Sequence, residues 1–172
     1  MKPIKRISFL FLIAISFILN SCSNEPIDPA IDPTDNNGGS TYYVKFKMDG
    51  VQKTYTVTQA MFTGLGPYGT MSIIGSEGLS SISLHIIDEA NTVVGTGTFP
   101  LEWTNVGCDY TEGSSIFASD YDDFTTSAGN IVISEKNTTN KTVKGTFNFV
   151  GKNSGMTQTR NFTEGDFFVR YE

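Results

Sequence analysis

The stretch YYVKFKMDGVQKTYTVT, residues 42–58, holds the pattern on which the fold turns. Val44, Phe46 and Met48 alternate with Lys45 and Lys47, the two-residue period of a strand with one dry face and one wet face. Asp49 and Gly50 follow, a pair that accepts the positive φ angles of a two-residue type I′ hairpin turn. Pairing Met48 with Val51 then sets Val44 opposite Tyr55 on the dry face and Lys45 opposite Thr54 on the wet one.

Outward from this hairpin the same rhythm recurs. Strands are predicted over residues 70–75, 80–88 and 93–101, the last ending in GTGTFPL. In SSISLHIID, Ile82, Leu84 and Ile86 alternate with Ser81, Ser83 and His85, which puts the histidine on the polar face. Residues 103–126 mix short apolar pieces with loop residues, and brief strands are expected near 115–118 and 123–126. Three clear strands close the chain, in NIVIS (130–134), KTVKGTFNFVG (141–151) and TQTRNFTEGDFFVRYE (157–172), with Val143, Gly145, Phe147 and Phe149 sharing a face and Phe167, Val169 and Tyr171 sharing another. About eight or nine strands at short spacing, with no apolar pattern at helical period, predict an all-β antiparallel domain, either a β-sandwich or a closed β-barrel.

Upstream of the domain the chain reads differently. Lys2, Lys5 and Arg6 precede a run from Ile7 to Leu19 broken only by Ser8 and Ser16, the charged and apolar regions of a secretory signal. That run is short of the roughly 20 residues a membrane span needs. Leu19-Asn20-Ser21-Cys22 resembles a bacterial lipobox, which implies cleavage before Cys22 and diacylation of its thiol. Each buried CH₂ of such an anchor contributes ~0.8 kcal/mol, so two chains hold where one does not. Pro26, Pro29 and Pro33, with Asp28, Asp32, Asp35 and the Gly38-Gly39 pair, bury too little apolar surface to offset ordering entropy. The expected organisation is a leader over 1–21, a flexible tether over 22–40 and a single β domain over 41–172.

Loss of Lys2, Lys5 and Arg6 with the leader takes the formal charge from −6 to −9. So acidic a chain lacks the basic footprint that nucleic-acid phosphates demand. With Cys22 assigned to lipid, Cys108 is left with no cysteine to pair with, and His85 is the only histidine that could act as its base. Nothing in the sequence places the two together, and a lone cysteine reads first as a small packed hydrophobe.

Asp120, Asp122 and Asp123, with Asp109 and Glu112 nearby, are the sharpest chemical feature. Closely spaced carboxylates can supply the oxygen ligands calcium prefers, although DYDDF lacks the helix-loop-helix calcium spacing and also reads as a solvated acidic loop. Aromatic rings in loops or on the second face can stack on sugars; Trp103, Tyr110 and Tyr121 are the leading candidates, with Tyr68 and Phe168 behind them. Acidic residues are too numerous to single out a glycosidase pair. Sequons begin at Asn137, Asn140 and Asn161, and behind a bacterial leader they read as turn and strand composition.

FKMDG, GTGTFPL, SAGNIVIS, KTVKGTFNF and FTEGDFFVRY together resemble a family of small Bacteroidota lipoproteins described as a domain of unknown function, across most of residues 42–171. The resemblance implies an all-β domain tethered to the outer membrane, facing the periplasm or the cell surface, and carries no catalytic residues with it. A non-enzymatic module of the cell envelope that binds a glycan, peptide or protein is the leading expectation. An envelope-maintenance protein that contacts other envelope proteins stands second, and a hydrolase third. No cofactor is expected, with calcium the one metal entertained.

Overall fold

A computed structural model of the chain describes residues 42–102, 104–119 and 129–172, the Leu65 side chain excepted. Eleven strands are found among these residues: β1 (Tyr43–Met48), β2 (Val51–Tyr55), β3 (Val57–Leu65), β4 (Tyr68–Glu77), β5 (Ser80–Asp88), β6 (Gly97–Pro100), β7 (Val106–Glu112), β8 (Ser115–Ala118), β9 (Gly129–Asn137), β10 (Thr142–Lys152) and β11 (Thr159–Arg170). The opening hairpin has the register read from its pattern, with Met48 facing Val51 and Val44 facing Tyr55. Its turn carries φ of 49° at Asp49 and 85° at Gly50, the left-handed pair that two-residue hairpins need.

Neighbouring strands run β2, β1, β11, β10, β8, β7, β5, β4, β3, all antiparallel. The two ends of that row, β2 and β3, are consecutive in the chain with Thr56 between them. Covalent continuity therefore brings the row round on itself, and an Ala60–Tyr171 bridge ties β3 to the end of β11. The sheet is nearly closed into a barrel, which resolves the choice between sandwich and barrel. Closure of this kind removes most of the exposed edge that an open sheet presents.

One branch leaves the ring. β10 pairs with β9 through Phe149–Gly129 and reaches β8 only at Lys152–Ala118; β9 in turn carries the four-residue β6 on its far side.

Inward residues fill the barrel. Phe46, Tyr55, Tyr110, Phe149 and Phe162 are each under 2% exposed. Phe149 and Phe162 stack at 4.0 Å and 3°, and Phe46 meets Tyr55 edge-on at 5.5 Å. Each ring buried this way contributes about 1.5–3 kcal/mol. Gly145 makes room for this packing, because a Cβ there would meet the Val132 carbonyl and the Phe167 ring.

Two expectations change, and one strand escaped the sequence reading. Residues 106–112 form a full central strand, β7, where loop was expected: Val106, Cys108 and Tyr110 point inward, and Gly107 and Asp109 between them, residue types depleted in strands, read as loop. Residues 57–65 form β3, disguised in sequence by the exposed apolar Val57 and Met61 on its outer face. The strand expected over 93–101 is shortened to β6, because Val94 leaves strand geometry and plugs the core, fully buried. The strand expected at 123–126 lies outside the described residues.

Candidate functional site

An interior packed with rings holds no ligand, so a site must lie on the outside of the barrel or at its ends. One end is shaped by the segment that follows β5. Asp88 closes that strand and its carboxylate accepts from the Ala90 N–H at 3.0 Å and from Asn91 Nδ2 at 2.9 Å, an Asx-type turn. The Asn91 carbonyl then accepts the Gly69 N–H at 2.6 Å, and Val94 drops into the core against Gly69, where any Cβ would clash with the Val94 backbone. Lys136 of β9 donates from Nζ to the Val94 carbonyl at 2.7 Å. Its ammonium sits 4.1 Å above the Phe62 ring, and burial pulls its pKa below the ordinary lysine value.

Because Val94 is pinned, the chain around it stands away from β6 and leaves a groove of about 510 Å³. Asp88, Asn91, Val93, Thr96, Thr98 and Phe99 line it, with Gly95 and Gly97 as bare backbone between them. A carboxylate, a side-chain amide, two hydroxyls and a half-buried ring are the groups that orient a polar ligand. Asp88 supplies the carboxylate of the groove lining.

The residues singled out from sequence lie elsewhere. Cys22, Trp103, Asp120, Tyr121, Asp122 and Asp123 are outside the described residues. Tyr110 is corrected from ligand-stacking candidate to core residue: inside β7 its ring is fully buried, 5.2 Å from Phe162 and 6.0 Å from Phe46. Its hydroxyl has no partner at hydrogen-bonding geometry among the described residues, and burial, reinforced by the nearby Tyr55 and Glu112, raises its pKa well above that of an ordinary tyrosine. Of the two lesser candidates, Tyr68 is 37% exposed, whereas Phe168 is half-buried on the outer face beside Tyr42 at 5.4 Å.

His85 and Cys108 occupy opposite faces of the sheet. The His85 ring covers Gly107, with Nδ1 3.9 Å from Asp109 Oδ2, while Cys108 faces inward opposite Leu84. Burial pushes the Cys108 thiol pKa well up, so no thiolate forms near neutrality. Asp88, Asn91, Thr98 and Phe99 were missed in sequence because GTGTFP reads there as ordinary strand. The glycine at every second position was the available signal, since it marks backbone left open to close approach.

Fold and site together define a class: a packed, nearly closed β-barrel that serves as scaffold for a groove at one end. The chain belongs to the family described as a domain of unknown function, DUF6252, whose model matches residues 43–169, from the first residue of β1 to the penultimate residue of β11. No curated protein and no solved structure matches the chain.

Proposed function

We propose that the protein is a non-enzymatic binding module of the bacterial cell envelope, a lipoprotein of the Bacteroidota type held to the outer membrane through lipid on Cys22, with its ligand seated in the groove between the Asp88 turn and β6. The observation that carries this reading is the groove lining, in which Asp88, Asn91, Thr96 and Thr98 converge beside the Phe99 ring. Polar groups of this kind orient a glycan or peptide and give it specificity, while the aromatic ring supplies contact area. Calcium at Asp120, Asp122 and Asp123 belongs to the same proposal as an accessory ion.

Isotope-edited NMR titration with a panel of glycans and extended peptides, with and without calcium, is the test. Amide shifts confined to residues 88–99, abolished by Asp88→Ala, are the expected outcome. Shifts elsewhere, or none across the panel, overturn the assignment of the groove.

A second reading rests on a different surface. Val57, Met61 and Ile74 lie on the outer face of β3 and β4 at 69%, 48% and 38% exposure, an apolar area suited to another envelope protein.

A further inference from the structure

We infer that the groove takes an extended peptide segment, which adds as a strand to the edge of β6 that no described strand pairs; the inference rests on the groove being the binding site and names its ligand class. Successive side chains of a strand point to opposite faces, so a cavity on one face meets every second residue. This groove is lined by Gly97, Thr98 and Phe99 in succession. It therefore runs along the edge of β6, against the backbone.

The hydrogen-bond parity of β6 sets out what that edge offers. Leu101 N–H donates to the Gly129 carbonyl at 3.1 Å, which makes Leu101 and Gly129 a bonded pair. In an antiparallel ladder bonded and non-bonded pairs alternate. Phe99, opposite Ile131, and Gly97, opposite Ile133, thus turn their N–H and C=O groups to β9, and Thr98 turns its own to the groove. Neither Thr98 group has a backbone partner among the described residues. Pro100 presents a carbonyl on the same edge and has no N–H to leave unpaired, which is where proline is tolerated in a sheet.

Thr98 N–H and C=O with the Pro100 carbonyl, about 6.8 Å further along, match the bonding period of an incoming strand. Gly95 and Gly97 keep side chains out of the approach; a Cβ at Gly95 would meet nothing within 4 Å. The Asp88 carboxylate at one wall and the half-buried Phe99 ring at the other favour a segment with a lysine, arginine or terminal amine placed next to an aliphatic residue. Main-chain bonds then supply affinity, and these two groups select the side chains.

The test uses the purified full chain and a short capped peptide of alternating valine and threonine with a lysine at one end. Two further versions carry N-methyl groups on one or the other alternating set of amides. At ten times Kd the peptide slows Thr98 amide exchange about tenfold. One methylated version binds as the parent does, and the other, whose methyl groups face β6, does not bind. Thr98→Pro weakens the parent about five- to tenfold, more than Thr98→Ala does, with the melting temperature unchanged. If both methylated versions bind alike, or Thr98→Pro binds as the native chain does, strand addition is overturned. A glycan that shifts residues 88–99 while the peptides do not bind overturns the peptide inference and leaves the binding module standing; silence from both ligand types removes both.

Discussion

Lys136 Nζ donates to the Val94 carbonyl at 2.7 Å, and this contact joins β9 to the segment that forms one wall of the groove. The ammonium lies over the Phe62 ring at 4.1 Å and 5.8 Å from the Tyr171 ring, and those two rings pack on each other at 4.6 Å. A cation so placed substitutes ring faces and one carbonyl for part of its water shell. It holds a loop that is also supported by the burial of Val94 and by the Gly69 N–H bond to the Asn91 carbonyl.

Lys136→Met removes the bond and the cation–π contact but keeps much of the apolar stem. The expected loss is about 1–2 kcal/mol, measured by denaturant unfolding. Faster amide exchange over residues 90–96 and weaker groove binding accompany it. The alkaline limb checks the charge: burial lowers the folded pKa, so the unfolded chain holds the proton more tightly, and the contribution of this residue to stability rises as pH climbs from the lowered value to the ordinary lysine value of about 10.4. Native stability that shows no alkaline difference from the methionine variant contradicts this account.

Tyr110→Phe stabilises the protein. The native hydroxyl is buried and makes no hydrogen bond among the described residues, while the ring beneath it is packed against Phe46 and Phe162. An unsatisfied buried hydroxyl costs about 1–3 kcal/mol, and its removal keeps the ring contacts. Calorimetry is expected to show a melting temperature higher by about 3–5 °C per kcal/mol gained, for a domain of this size. A lower value shows instead that the hydroxyl has a partner.

Asp49 sits at φ 49° in the first hairpin, accepts the Asn161 N–H at 2.9 Å and pairs with Arg160 at 2.8 Å. The backbone bond to Asn161 and then the Arg160 side chain lower its pKa. A lowered carboxylate pKa adds stability that is fully present above the ordinary value near 3.8 and is lost as pH falls through the folded value. Asp49→Ala is expected to cost about 1–2 kcal/mol, mostly through the left-handed backbone and the lost Asn161 bond. Asp49→Asn tolerates the same backbone and costs less, since an exposed ion pair with Arg160 is screened by solvent and contributes under about 1 kcal/mol. Unfolding followed from pH 7 to pH 2 separates the variants: the native protein loses its advantage over Asp49→Asn only at the acid end.

Cys22→Ala tests the tether. Labelling with a fatty acid is expected to mark the native protein and not the variant, and mass spectrometry of the native protein to find diacylglyceryl on Cys22. A native protein that carries no lipid on Cys22 removes the lipid anchor from the proposal.

How much of this was legible differs from strand to strand. The β1–β2 hairpin was readable to its register, because alternation and an Asp-Gly turn are both local signals. β10 and β11 were readable for the same reason, as their inward valines, phenylalanines and glycines recur at every second position. β7 was not, although Val106, Cys108 and Tyr110 alternate with Gly107 and Asp109, since glycine and aspartate are depleted in strands and read as loop. Tyr110 was misread with it: a tyrosine in a supposed loop is a ligand platform, whereas the same tyrosine in a central strand is core. The groove was least legible of all, because Asp88 and Phe99 meet only after Val94 has been pinned between Gly69 and Lys136.

Local chemistry by itself determined the all-β class, the strand faces and the first turn, since side-chain alternation and backbone φ preference act within a few residues. Tertiary structure alone decided that β2 and β3 end the same row and so close a barrel, that the interior is filled with rings, and that a short strand keeps one edge turned to a groove. These outcomes depend on which distant strands pair, and pairing is selected by the collective burial of residues far apart in the chain, which no local pattern records.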